Sequence, residues 1–228
     1  IVGGSAVAVT TDIVIEKGLQ AAAMLLEASV EDVIFREGIY EVAGTDRRVD
    51  FEQAAARAGG IDARGRFLPK DFTYPNGTHC CEVEVDPETG AASIDRYIMV
   101  HDCGTPVNPM LVEGQLQGGV VHGLGQAFSE HVVYDPGNGQ VLSGSFLDYG
   151  LPRAGDIPAP EFVCELNPVP TSTNPLGAKA VGEAGVAISP ILAVNAVVDA
   201  LRPLGVTDIS MPMTPAKISS AIAAARGS

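Results

Sequence analysis

Glu183 lies in Gly177-Ala-Lys-Ala-Val-Gly-Glu-Ala-Gly185, ahead of an apolar run with helical periodicity from Val186 to Leu201. Three glycines let the backbone approach a bulky group and adopt dihedrals closed to other residues. At a helix start, the aligned peptide dipoles and free N–H groups stabilise a carboxylate in its ionised form, the form that accepts a proton. The plain alternative is a first-turn glutamate that only complements the dipole, and the segment alone does not decide between the two.

Gln115 is the second residue with usable chemistry. It stands in Glu113-Gly-Gln-Leu-Gln-Gly-Gly-Val-Val-His-Gly-Leu-Gly125, within a helical pattern from Pro109 to Glu130. Its amide offers donors and an acceptor to a ligand edge; a surface or helix-packing glutamine is the alternative. Gly114, Gly118, Gly119, Gly123 and Gly125 each cost this helix roughly 1 kcal/mol relative to alanine, which points to a need for close backbone approach. Gly123-Leu-Gly125 is not a dinucleotide fingerprint: the third glycine is missing and the glycines come late in the helix. His101-Asp-Cys103 joins three metal-binding residue types, but consecutive strand positions face opposite ways and do not converge on one ion. His122 and His131 are lone histidines and are assigned no chemistry.

The composition excludes whole classes. A net charge of -14 opposes nucleic acid and anionic membranes. The longest apolar stretches, Ala21 to Leu26 and Gly185 to Leu201, are short or interrupted by Ser189, Pro190 and Asn195, so neither reads as a transmembrane helix. Cys80, Cys81, Cys103 and Cys164 contain no CxxC spacing for zinc or an iron–sulfur cluster. Their adjacent pair is awkward for a disulfide, and reduced thiols in a cytoplasmic protein are expected. Ile1-Val-Gly-Gly resembles a processed serine-protease N-terminus, but no Gly-Asp-Ser-Gly segment or Gly-x-Ser-x-Gly elbow follows. The chain does not begin with Met and is expected to be a piece of something longer.

The elements that position these residues follow from periodicity and punctuation. Thr11 to Ser29 predicts a helix. Val33 to Val42 predicts a hairpin turning at Glu37-Gly38, followed by a short strand at Arg48 and a helix from Phe51 to Ala58. Residues 60–78, rich in Gly, Pro, Asp and Arg, read as a connecting loop and a sub-boundary. Asn76-Gly-Thr78 within it reads as a turn rather than a glycosylation site. Cys81 to Val85 and Ser93 to Val100 form a second antiparallel pair around Asp86-Pro-Glu-Thr-Gly90. Another hairpin is expected at Asp135-Pro-Gly-Asn-Gly139 and a strand at Phe162 to Leu166. Thr214-Pro215 caps a last helix, Ala216 to Ala225. The fold class is α+β, antiparallel β-hairpins packed with helices.

Four segments in order carry a resemblance. Gly177-Ala-Lys-Ala-Val-Gly-Glu183 resembles the K-x-V-G-E signature near the C-terminus of the large subunit of molybdenum hydroxylases, the xanthine oxidase, aldehyde oxidoreductase and CO dehydrogenase family. Val83 to Gly90 looks like that family's hairpin, His101-Asp-Cys-Gly-Thr-Pro-Val-Asn-Pro109 like the turn after it, and Glu113 to Gly125 like its Gly-rich helix. Leu151 to Pro158 resembles the segment between that helix and the glutamate. It is expected either to shape a substrate funnel or to be a surface crossover.

The resemblance implies that residues 1–228 are the C-terminal segment of a molybdenum cofactor-binding domain, completing the molybdenum-binding region of a larger assembly. It implies Glu183 as general base, and Gln115, Lys179 and Gly182 as cofactor-binding residues. The implied cofactor is molybdenum-molybdopterin, with the cytosine dinucleotide as a candidate form. The implied reaction is oxidation of an aldehyde or N-heteroaromatic substrate with oxygen from water. Implied partners are the remaining molybdenum-binding polypeptide and iron–sulfur and flavin (FAD) subunits. A non-catalytic structural subunit that retains the fold is the alternative.

Overall fold

The computed structural model describes residues 1–156 and 162–227. The chain divides into two compact units, residues 1–72 with 172–177 and residues 73–171 with 178–228.

In the first unit, helix α1 (Val2–Leu26) is followed by a three-stranded antiparallel sheet, β1 (Val33–Arg36), β2 (Ile39–Val42) and β3 (Arg48–Asp50), and by helix α2 (Phe51–Arg57). α1 starts at Val2, well before the expected Thr11, through a stretch where Gly3 and Gly4 give no local helix signal. It ends where Glu27 turns left-handed at φ 47°. Asp50 caps α2 in a reciprocal box with Gln53. Tyr40 is fully buried among Ala21, Ala22, Leu26, Val33 and Ala54. Its hydroxyl lies where a β-carbon on Gly18 would stand, so that glycine lets the ring into the helix surface.

In the second unit, β4 (Asn76–Val85) and β5 (Ala92–Asp102) form the long hairpin, with Gly90 at φ 74° in its turn. β6 (Phe162–Leu166) joins β5 in parallel, Tyr97 facing Phe162 and His101 facing Leu166. β6 returns only after a helix and a long connection, the kind of crossover that parallel strands require. The turn at residues 135–139 forms, yet only a single bridge, Tyr134 to Val141, stands beside it instead of two strands. Ile157 and Pro158 of the expected irregular loop lie outside the described residues.

Helices α3 (Pro109–Phe128), α4 (Ala184–Leu201) and α5 (Pro215–Arg226) complete this unit. Asn108 and Thr214 cap α3 and α5, each with proline in the first turn. The core gathers Tyr97 and Met99 from β5, Leu116, Val120 and Leu124 from α3, Ala193, Val197 and Leu201 from α4, and Ile218 and Ile222 from α5. Residues 184–204 are long and apolar enough to cross a bilayer by length and composition alone. Here one face of α4, carrying Gly185, Ser189, Ala193, Val197 and Leu201, is buried in the unit.

Candidate active site

The site is set by a helix crossing. A β-carbon on Gly185 would stand 2.4 Å from the Leu116 carbonyl oxygen and 2.8 Å from the Val120 nitrogen. One on Gly119 would stand 3.0 Å from the Gly185 Cα. One turn further on, a β-carbon on Gly123 would meet Ser189 Oγ at 2.0 Å and Pro190 Cδ at 2.8 Å. The backbones of α3 and α4 therefore touch at Gly119 and Gly185, an approach no larger residue permits. This is the role that the costly glycines of α3 implied.

The crossing puts the first turn of α4 beside the middle of α3. Glu183 is the N-cap residue of α4, two positions before the contact, and its side chain caps nothing. Gln115 lies one helical turn before Gly119, and its amide nitrogen is 3.7 Å from where a β-carbon on Gly182 would stand. Gly182, Glu183 and Gln115 are all exposed. Neither the Gln115 amide nor the Glu183 carboxylate has a hydrogen-bond partner among the described residues. Gly114 and Gly118 face open space on the same helix.

Lys179, expected to meet the cofactor, lies four residues before Glu183. Its ammonium pairs with Asp102, and both side chains are only 12% exposed. Asp102 Oδ1 also accepts hydrogen bonds from the Gly104 N–H at 2.8 Å and the Val169 N–H at 2.9 Å. Burial raises the Asp102 pKa, but Lys179 and the two N–H donors outweigh it and hold the carboxyl down at about 2. The Lys179 N–H donates to the Cys103 carbonyl at 2.7 Å, and Ala178 bridges to Gly104. The strap leading to Glu183 is thus sewn to the end of β5. Sequence reasoning met Asp102 only as one of three mixed residues at a strand end. Its position ahead of the Gly104 turn was the available signal, but the partners lie 67 and 77 residues away in sequence.

A second polar cluster lies on the inward face of the hairpin. His79 Nδ1 is 2.7 Å from the Tyr97 hydroxyl, and His79 Nε2 is 2.5 Å from His101 Nε2. His101 Nδ1 is buried without a partner. Burial, and then the neighbouring His101, lower the His79 pKa to about 4; burial lowers that of His101 too. The four cysteines are free thiols. Burial pushes Cys81 and Cys164 up to about 11 and raises Cys103, which keeps these three protonated at neutral pH. No cluster of three or more metal-ligating side chains occurs among the described residues.

The family model described as a molybdopterin cofactor-binding domain matches residues 1–158. The chain is 31% identical, over 95% of its length, to the carbon monoxide dehydrogenase large chain of Hydrogenophaga pseudoflava. It is 35% identical, over 89% of its length, to the nicotine 6-hydroxylase large subunit of Paenarthrobacter nicotinovorans. It spans 28% and 26% of the lengths of those two proteins. Among solved structures it superposes on a reconstituted CO dehydrogenase from Oligotropha carboxidovorans with a TM-score of 0.90 at 29% identity, covering 97% of this chain and 28% of that one. The ordered motifs, the fold and the family match converge, and the chain belongs to the molybdopterin cofactor-binding domain family, as part of a molybdopterin-binding large subunit.

Proposed function

We propose that this chain supplies the proton-accepting and pterin-facing surface of a molybdenum hydroxylase that oxidises an aldehyde or N-heteroaromatic substrate, with water as the source of oxygen. The residues fit the cofactor. Gln115 carries amide donors and an acceptor free for a pterin edge, and Gly182, Gly114 and Gly118 leave the surface beside it bare for close approach. When bound, the molybdenum cofactor supplies the two-electron redox chemistry of the hydroxylation.

The part played by the protein is proton handling and placement. A Glu183 carboxylate oxygen takes the proton released as water-derived oxygen is transferred to substrate. Gln115 orients the cofactor through its amide, and Gly182 lets it come close. The observation that supports this reading is the Gly119–Gly185 crossing, which sets the Gln115 amide beside Gly182, the residue next to Glu183. The relative named for nicotine 6-hydroxylation supports the N-heteroaromatic class.

The remaining large-subunit polypeptide, an iron–sulfur subunit and a flavin subunit complete the enzyme in this reading. The cofactor takes the cytosine dinucleotide form, and the assembly is cytoplasmic. In the assembled complex, Glu183→Gln keeps the molybdenum content near that of the parent and lowers kcat by at least about a hundredfold, the range of a lost general base. Retention of substantial turnover by Glu183→Gln removes Glu183 from this role. Native mass spectrometry with metal analysis tests the assembly. About one molybdenum per copy of the chain is expected, and an intact complex without molybdenum overturns the reading.

A further inference from the structure

Resting on that reading, we propose that Asp102 and Lys179 are positioning residues for Glu183: a buried ion pair that sets where the carboxylate stands and makes no contact with cofactor or substrate.

Three observations carry this. Asp102 is a hub for separate stretches of chain: one oxygen accepts from the Gly104 turn and from Val169 beyond β6, while the other holds the Lys179 ammonium. The pair is largely buried, at 12% exposure on each side, so water competes little for either charge. The strap it holds is short: Lys179 is also fixed through its own N–H to the Cys103 carbonyl, and only three residues separate it from Glu183. At its other end the strap runs into the Gly119–Gly185 contact, which allows no sliding without backbone collision. Among the described residues the Glu183 side chain has no cap, hydrogen-bond or ion-pair partner, so it does nothing of its own to place the carboxylate. Its position is therefore inherited from these two anchors, and the ion pair is the one made of side chains. A misplacement of about 1 Å is enough to slow an enzyme on the order of a hundredfold.

The test uses the assembled complex with Asp102→Asn, Lys179→Met, Lys179→Arg and the double variant Asp102→Asn/Lys179→Met. The double variant leaves no lone buried charge and so avoids the main reason for misfolding. Turnover is followed by dye reduction with an aromatic aldehyde, quinoline and carbon monoxide as probes, and expressed per molybdenum. Amide hydrogen exchange across residues 178–184 is read in parallel and needs no turnover.

The expected result is a fall in kcat per molybdenum of about ten- to a hundredfold in Lys179→Met and in the double variant, with KM changed little. Molybdenum content is retained, exchange is faster in residues 178–184 but not along α3, and Lys179→Arg restores most of the rate. The double variant is no slower than the worse single one, because both remove the same interaction. Unchanged kcat per molybdenum with unchanged exchange in the double variant overturns the proposal. So does a loss confined to molybdenum content, which makes Lys179 a cofactor ligand. Glu183→Gln, run alongside, separates the two ideas. If it keeps its rate, the base assignment fails, while the exchange data still report on the latch. If it is dead and the double variant is normal, the latch alone fails.

Discussion

At the scale of single residues, placement and chemistry come from different sources in this protein. Among the described residues the side chains of Glu183 and Gln115, the proposed functional groups, have no partner, whereas Asp102 and His79 are committed to internal partners. The histidine pair makes a prediction. Only one proton is shared between two Nε2 atoms 2.5 Å apart, so the buried pair resists charging. The folded-state pKa of His79, about 4, lies below its ordinary 6.5. The unfolded chain therefore binds more protons in that window, and the stability contributed above pH 6.5 is lost as pH falls toward 4. Asp102 acts in the same direction lower down: its contribution, complete above 3.8, is lost as pH falls toward 2. Urea unfolding at pH 7.0, 5.5 and 4.5 is expected to show stability falling with acidification, with a shallower fall in His79→Gln. A flat profile across that range in the parent rules out a neutral buried pair.

At the scale of elements, two helices with poor intrinsic propensity are held by each other. The glycines of α3 play different parts that sequence alone does not separate. Gly119 and Gly123 accept the backbone and side chains of α4, Gly125 stands against Glu130 and Pro152, and a β-carbon on Gly114 or Gly118 would meet nothing within 4 Å. Substitution should split the same way. Gly185→Ala or Gly119→Ala forces backbone apart and is expected to cost about 1–3 kcal/mol, the range for overpacking. Gly114→Ala gains helix propensity without a clash and is expected to stabilise by up to about 1 kcal/mol. Chemical denaturation of the variants decides it, and equal effects at the two kinds of site contradict the crossing. Pro190 fits the same picture: sequence reading treated it as an interruption, but it lies buried inside α4, its ring against the face that Gly123 leaves bare.

At the scale of the whole molecule, the chain is a quarter of its relatives' length and carries apolar groups with no cover. Phe146 is 80% exposed and Leu147 97%, in a segment otherwise tied down by the Tyr149 to Glu130 and Ser145 to Asp148 hydrogen bonds. Val107, Met110 and Leu111 are likewise exposed at the start of α3, next to Gln115. Exposed apolar groups in this number mark contact surfaces. Alone, the chain is expected to bind a hydrophobic dye strongly, to self-associate despite its charge of -14, and to hold molybdenum cofactor weakly or not at all. Tight cofactor binding by the isolated chain, or a dye-silent monomer, is the contrary outcome.

Local punctuation made much of the fold readable in advance. The capped starts of α2 and α5, the Glu37-Gly38 and Asp86 to Gly90 turns, and the strand at Phe162 all follow from residues within a few positions of one another. The early start of α1 and the missing strands around residues 135–139 did not, because periodicity and turn residues report local preference and not whether a neighbour pairs. Of the site, sequence by itself determined the chemical groups, a glutamate and a glutamine each set among glycines, and the order of motifs that marks the family. Tertiary structure alone decided that β6 lies parallel to β5, that Gly119 meets Gly185, and that Lys179 turns inward to Asp102. Those outcomes depend on contacts between residues far apart in the chain, and the energy of such a contact depends on burial and geometry that no local stretch of sequence contains.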